Sequence, residues 1–288
     1  MKKKVLITGG KGMLATALEA YYLAAGADVK APTHAELDVL DRTAVAEAVA
    51  AFKPAYVFYT ACLHVDASEN DPESAYKLNS WASAQMAMAC AKQKSELVYI
   101  SSCGYFGDEV KPYSEYDPVV LKTVYARSKY EGEVLAMREN PKTYAIRPGW
   151  LFGGSVKHKK NFVYQRYLEA QKTPVLKSAG DKFGTPTLVD DLVAKIDEII
   201  KTEVVGLYHV TNSGGGSRAD YVKKIVESCG LKTAVEAVDS SAFPRKANVP
   251  NCEILHNWNL KYLGLKSLPS WEEAIDRYVG AMFKELGK

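Results

Sequence analysis

The segment Thr8-Gly9-Gly10-Lys11-Gly12-Met13-Leu14-Ala15 constrains the fold more than any other part of the chain. It lies between a short apolar run, Lys4–Thr8, and an amphipathic stretch, about Met13–Ala25. It reads as GxGxxA from Gly10 or as GxxGxxA from Gly9. Either register gives a tight strand-to-helix turn in which missing side chains let a pyrophosphate approach backbone N–H groups at the positive end of a helix. Ala15 stands where the last glycine would be, at the packing of helix on strand. Glycine turns are common, but one placed after a strand and opening a helix reads as a dinucleotide-binding turn. Gly9, Lys11, Gly12, Met13 and Leu14 are its candidate cofactor-side residues.

The pattern continues through the first half. Strands are expected at Lys4–Thr8, Asp28–Ala31, Tyr56–Thr60, Glu96–Ser101 and Thr143–Arg147. Helices fill the gaps at about Met13–Ala25, Arg42–Ala51, Pro72–Gln93 and Val124–Arg138. Apolar strands alternating with helices imply a parallel sheet covered on both faces, a Rossmann-type doubly wound α/β fold. The second half is less regular: a basic and Gly-rich piece at Gly153–Gly184, a helix at Val189–Lys201, a strand at Gly206–Val210, a turn at Gly214–Gly216 and a helix at Arg218–Cys229. No linker divides it from the first. The expected organisation is a dinucleotide-binding domain of residues 1–152 plus about 185–212, with a smaller interleaved α/β substrate lobe of about 153–184 plus 213–288.

Composition excludes several alternatives. With 37 Lys+Arg against 34 Asp+Glu, no basic field points to nucleic acid. Cys62, Cys90, Cys103, Cys229 and Cys252 are odd in number and never spaced CxxC, which argues against zinc or a disulfide framework and for a reducing compartment. The apolar run after Lys2-Lys3-Lys4 stops too soon for a signal peptide, and no stretch is long enough for a membrane span, so a cytoplasmic protein is expected.

The second strand ends Val29-Lys30-Ala31-Pro32-Thr33-His34 without the acid that usually holds a ribose 2′-hydroxyl. Its absence removes repulsion against a 2′-phosphate, which Lys11 or His34 would meet. NADP(H) is therefore favoured over NAD(H). Asp38 is expected beside the adenine.

Tyr125 and Lys129 form a YxxxK pair, and spacing i, i+4 puts both on one helix face. An ammonium beside a phenol lowers its pKa and makes the hydroxyl a proton donor or acceptor. A second YxxxK, Tyr262 to Lys266, has no partner motif. Upstream of Tyr125 a strand ends in Ser101-Ser102-Cys103-Gly104, which brings Ser102 to the ligand end of a parallel sheet. Ser102, Tyr125 and Lys129 form a proton-transfer set beside a nicotinamide.

With these residues the chain resembles an extended short-chain dehydrogenase/reductase, and most of all the dTDP-4-dehydrorhamnose reductase family. The resemblance spans nearly the whole chain. Val65-Asp66-Ala67-Ser68-Glu69 and Leu78-Asn79 are similar to that family's VDxAE and downstream asparagine. Ser101-Ser102-Cys103-Gly104-Tyr105-Phe106 takes the place of STDYVF, Arg147-Pro148-Gly149-Trp150 of RTSW and Asn161-Phe162 of NF. Asp181-Lys182-Phe183-Gly184-Thr185-Pro186-Thr187 corresponds to DQxGxPT.

The resemblance implies hydride transfer from the dihydronicotinamide to the C4 ketone of a nucleotide-linked 6-deoxy sugar. Tyr125 would protonate the new alkoxide, Ser102 would hydrogen-bond the same oxygen, and Lys129 would hold the nicotinamide ribose. Ala61 and Asn79 join the cofactor side, Asn79 by anchoring a water near Lys129. Trp150 would pack on the sugar, and Cys103, His64 and Asn161 complete the substrate side. Lys157-His158-Lys159-Lys160 would attract the diphosphate. The resemblance suggests a homodimer, which no residue pattern here specifies. The chain departs from the family where Thr-Asp-Tyr becomes Ser102-Cys103-Gly104, at Tyr59 in place of an asparagine, and in a shortened loop before Val65. Arg147-Pro148-Gly149 is closer to the epimerase/dehydratase pattern. Two other functions fit the same residues: an NAD-retaining sugar-nucleotide epimerase, and a non-catalytic NADP-binding regulatory subunit.

Overall fold

The structure, a computed structural model, describes residues 2–288. β1 (Lys4–Ile7), α1 (Met13–Ala24), β2 (Asp28–Lys30), α2 (Arg42–Phe52) and β3 (Tyr56–Tyr59) open the chain. Two short helices, α3 (Val65–Asn70) and α4 (Pro72–Tyr76), pass through a π-helical turn at Lys77–Trp81 into α5 (Ala82–Gln93). Then come β4 (Glu96–Ile100), α6 (Val124–Glu139), β5 (Thr143–Pro148) and β6 (Trp150–Phe152). The second half holds α7 (Phe162–Ala170), β7 (Val175–Ala179), β8 (Phe183–Gly184), β9 (Pro186–Leu188), α8 (Val189–Lys201) and β10 (Gly206–Val210). It ends with β11 (Gly216–Ser217), α9 (Arg218–Ser228), β12 (Ala234–Val238), β13 (Cys252–Glu253), α10 (Trp258–Tyr262) and α11 (Trp271–Glu285).

Six strands form one parallel sheet in the order β2-β1-β3-β4-β5-β10. Side-chain alternation feeds two cores. Val5, Ile7, Phe58, Val98 and Ile100 pack with α1 and α8, while Leu6, Val57, Tyr59, Leu97 and Tyr99 pack with α2 and α5. That is why the strands read as unbroken apolar runs. Strand order reverses between β1 and β3, so a crevice opens at their carboxyl ends, where ligands of doubly wound sheets bind. Smaller sheets, β11-β8-β13, β12-β7 and β6-β9, lie with α7, α9 and α11 around a core that includes Phe152, Tyr221, Trp271 and Ile275.

The helix expected over Pro72–Gln93 is interrupted. At the π-helical turn α6 comes so close that a Cβ on Gly132 would lie 2.0 Å from the Asn79 carbonyl oxygen. That carbonyl accepts from the Tyr99 hydroxyl at 3.1 Å and the Ser83 hydroxyl at 2.8 Å, bonds outside the ordinary helix ladder. Several elements, α3, α7, α10, α11 and the short strands of the small sheets among them, lie outside the segments that pattern assigned. α3 is too short for a 3.6-residue period to show, whereas α11 carries a readable capping box, Ser270 with Glu273.

Candidate active site

The glycine turn is shaped by close approach. Gly9 has φ +70°, a left-handed conformation that favours glycine. A Cβ on Gly10 would sit 1.9 Å from the Ala31 carbonyl oxygen, and the Gly10 N–H donates to the Pro32 carbonyl at 3.0 Å. Gly12 caps α1 with no side-chain cap and no acid in the first turn, which leaves the amides of Met13 and Leu14 facing no side-chain acceptor among the described residues. Thr8 Oγ1 accepts from the Thr60 N–H at 3.0 Å, and Thr60 Oγ1 donates to the Thr8 carbonyl at 2.7 Å. These bonds seat Ala61 beside the turn. A side-chain-free cradle at a bare helix N-terminus fits a dinucleotide pyrophosphate.

The adenine end differs in detail from expectation. Lys11 is exposed. Past the end of β2, the exposed Glu36 accepts from the Thr33 N–H at 2.8 Å and lies near enough to Lys11 to feel its charge. His34 is exposed and 3.6 Å from Asp38 Oδ1, an atom that also accepts from the Leu40 N–H at 3.0 Å.

Tyr125 and Lys129 lie on α6, whose start is fixed twice: Thr123 Oγ1 accepts from the Ala126 N–H at 2.9 Å, and Glu69 Oε1 accepts from the Val124 N–H at 2.6 Å. Lys129 is buried, and its Nζ donates to the Ile100 carbonyl at 2.6 Å and sits 4.1 Å from the Tyr99 ring centroid. Ile100 ends β4 two residues before Ser102, so the lysine, one helical turn from Tyr125, is tied to the strand end that presents the serine. Ser102 Oγ accepts from the Gly104 N–H at 3.1 Å. The half-buried Tyr125 corrects one expectation: its phenol pKa is raised, first by burial and then by Cys62, while hydrogen bonding from Ser102 pulls it down. Burial drives Lys129 down to about 8. The other YxxxK is a surface feature, with Tyr262 70% exposed.

The substrate-side residues separate into two groups. Trp150 is half-buried and donates from Nε1 to Glu253 Oε2 at 2.6 Å, while the Arg218 guanidinium covers one face of its indole, 3.5 Å from the ring centroid. Cys103 is buried, its thiol pushed up by burial and then by Glu253, so it is a neutral lining group. His64 is exposed at the start of α3; partial burial of its ring and the Lys160 cation hold its pKa below the ordinary value.

Asn79 and Asn161 are both fully buried, and their amides hydrogen-bond within the protein. Asn79 accepts from the Leu63 N–H at 2.8 Å and donates to Ser128 Oγ at 3.0 Å. Asn161 caps α7 by accepting from the Tyr164 N–H at 3.1 Å, and donates to the Ser155 carbonyl and the Tyr278 hydroxyl. The basic run also divides: Lys157 and His158 line a 480 Å³ cavity with Lys11 and Thr16 beside the glycine turn, while Lys160 approaches His64. Among the described residues no cluster of His, Cys, Asp or Glu is arranged to hold a metal. No helix among them is long and apolar enough to cross a membrane.

Sequence reasoning missed Glu253, Arg218 and Glu133. Glu133 is eight residues beyond Tyr125 on the same helix, so its inward face was readable. Glu253 enters on a two-residue strand that carries no periodic signal.

Known proteins share both the sequence and this architecture. dTDP-4-dehydrorhamnose reductase of Mycolicibacterium smegmatis is 30% identical over 286 residues, which cover 98% of this chain and 86% of that protein. The spore coat polysaccharide biosynthesis protein SpsK of Bacillus subtilis is 30% identical, with 96% of each chain covered. The crystal structure of dTDP-4-dehydrorhamnose reductase from Bacillus anthracis in complex with NADP superposes with a TM-score of 0.93 at 30% identity, over 98% of this chain and 100% of that one. UDP-glucose 4-epimerase of Thermus thermophilus, at 20% identity and a TM-score of 0.80 over 97% of this chain and 98% of that one, shares the fold. The profile of the RmlD substrate binding domain family matches residues 2–283, and the chain belongs to that family.

Proposed function

We propose that this protein is an NADP(H)-dependent reductase of a nucleotide-linked 4-keto-6-deoxy sugar. Membership of the family, relatives named dTDP-4-dehydrorhamnose reductase and a similar structure solved with NADP support this reading. The observation that carries it is the junction at the end of β4, where Lys129 bonds the Ile100 carbonyl at 2.6 Å beside Ser102 and one turn from Tyr125.

When bound, the reduced nicotinamide supplies a hydride to the C4 ketone. The chain's own residues do the rest. Gly9, Gly12 and the first amides of α1 hold the pyrophosphate, and Lys11, exposed within the glycine turn, is the cation for a 2′-phosphate. Tyr125, kept protonated by its raised pKa, gives its proton to the substrate oxygen. Ser102 orients that oxygen. The Lys129 ammonium has one protein acceptor among the described residues, which leaves donors for the cofactor ribose and a charge that steadies the phenolate after transfer. The cofactor-binding part corresponds to residues 1–152 and about 185–212, and the substrate part to about 153–184 and 213–288. The homodimer suggested by resemblance belongs to the same reading and is tested by sedimentation.

The direct test is NADPH consumption by purified protein against a panel of nucleotide-linked 4-keto-6-deoxy sugars, with NADH in parallel. Turnover with NADPH establishes the reductase and its substrate class. Cofactor binding without turnover overturns it in favour of an epimerase or a regulatory binder.

A further inference from the structure

Glu253 brings a carboxylate into the substrate side of the cleft from a distant part of the chain. Its position is fixed by the small sheet: β13 pairs with β8 so that Glu253 lies opposite Gly184. The Trp150 ring occupies the space left by that glycine, where a Cβ would fall 2.3 Å from Cε2. Trp150 Nε1 then bonds Glu253 Oε2 at 2.6 Å.

The other oxygen, Oε1, is the informative one. It lies 3.1 Å from the place a Cβ on Gly104 would take, and Ser102 Oγ lies 3.4 Å from the same place. The carboxylate and the catalytic serine therefore converge on the gap left by one missing side chain. Besides Trp150 Nε1 on Oε2, the side chain that hydrogen-bonds this carboxylate is the Cys103 thiol, a weak donor. Glu253 is half-buried, and Tyr125, whose phenol it helps to raise, is within range of its charge. A nearby cation, Arg218, stacks on the opposite partner of the pair, the Trp150 ring, and makes no side-chain hydrogen bond or ion pair among the described residues. A desolvated carboxylate held by one indole N–H and one weak thiol donor keeps acceptor capacity that a ligand hydroxyl can fill.

We propose that Glu253 is a specificity-determining substrate residue: its Oε1 accepts a hydrogen bond from a hydroxyl adjacent to the reacting carbonyl, with Trp150 as the positioning residue that fixes it. This rests on the reductase reading. It narrows the substrate class to keto-sugars that keep a hydroxyl beside the ketone.

The test compares two nucleotide-linked 4-keto-6-deoxy sugars, one with a hydroxyl at C3 and one deoxy there. The expected wild-type preference for the hydroxylated substrate in kcat/KM is about tenfold to a hundredfold, the range for a hydrogen bond to a charged group. Glu253→Gln should collapse that ratio several-fold or more, with NADPH affinity unchanged as the check on folding. Gly104→Ala, which crowds Oε1 from the other side, should reduce the ratio as well, and Glu253→Ala should remove any further effect of Gly104→Ala. A ratio unchanged in both single variants overturns the proposal. Failure of the wild-type protein to turn over either sugar overturns the reductase reading instead, so the two failures are distinguishable.

Discussion

Arg147 and Glu133 form a buried, two-point ion pair between β5 and α6, with Nη2 to Oε1 at 2.6 Å and Nε to Oε2 at 2.9 Å. Ser101 Oγ donates to the same Oε2 at 2.6 Å. Tyr125, Lys129 and Glu133 are spaced by four residues along α6, so this pair fixes the helix that carries the proposed acid to the strand end that carries Ser102. Removing one partner of such a pair leaves an uncompensated buried charge, which costs about 3–5 kcal/mol. Glu133→Ala should lose that much in urea denaturation, far more than a loss at the exposed pair Lys77–Glu73.

Tyr125→Phe removes the phenolic hydroxyl and little volume. The proposed mechanism expects turnover to fall by about a hundredfold to ten-thousandfold, the usual contribution of a positioned acid. NADPH affinity, measured by fluorescence titration, should stay within about twofold, because the pyrophosphate cradle lies elsewhere. Retained turnover would remove Tyr125 from the role of acid.

The glycine turn offers a test of the cradle. Gly10→Ala would drive a methyl into the Ala31 carbonyl at 1.9 Å, a backbone atom that cannot rotate away. β2 and the turn would have to separate. The expected result is a loss of NADPH affinity of tenfold or more by titration, together with lower thermal stability. Unchanged affinity would show that the turn does not hold the dinucleotide.

Most of the first half was legible because strands buried on both faces read as apolar runs and glycines mark the turn. Gly9, Ser102, Tyr125 and Lys129 stand out as candidates from local pattern alone: a turn, a strand end and one helix face. What escaped depended on contacts distant in sequence. The π-helical turn at Lys77–Trp81 exists because Gly132, more than fifty residues later, admits the Asn79 carbonyl. Asn79 and Asn161 stand out by motif, while their bonds to Leu63, Ser128, Tyr164 and Tyr278 show only in three dimensions. The departure from the family pattern at Ser102-Cys103-Gly104 was readable, but Glu253, 149 residues after Gly104, comes beside it only once β13 pairs with β8.

Lys129 gives the fold a pH signature with a definite sign. Burial holds its folded pKa down to about 8, against an ordinary value near 10.5. Between these values the unfolded chain binds the extra proton and the folded one does not, so stability rises as pH increases through this window. Below about pH 8 both states are protonated and the charged lysine carries its full desolvation cost. Since each pKa unit corresponds to about 1.4 kcal/mol, the gain across the window is at most about 3.5 kcal/mol. Lys129→Met has no proton to lose and should lack this rise. The check is urea denaturation of both proteins from pH 7 to pH 10, read as the difference between them, which cancels groups that titrate in both. A flat difference would mean that the ammonium is better solvated than its burial implies. A difference of opposite sign would mean that the charged form is favoured where it sits, against the Ile100 carbonyl and the Tyr99 ring.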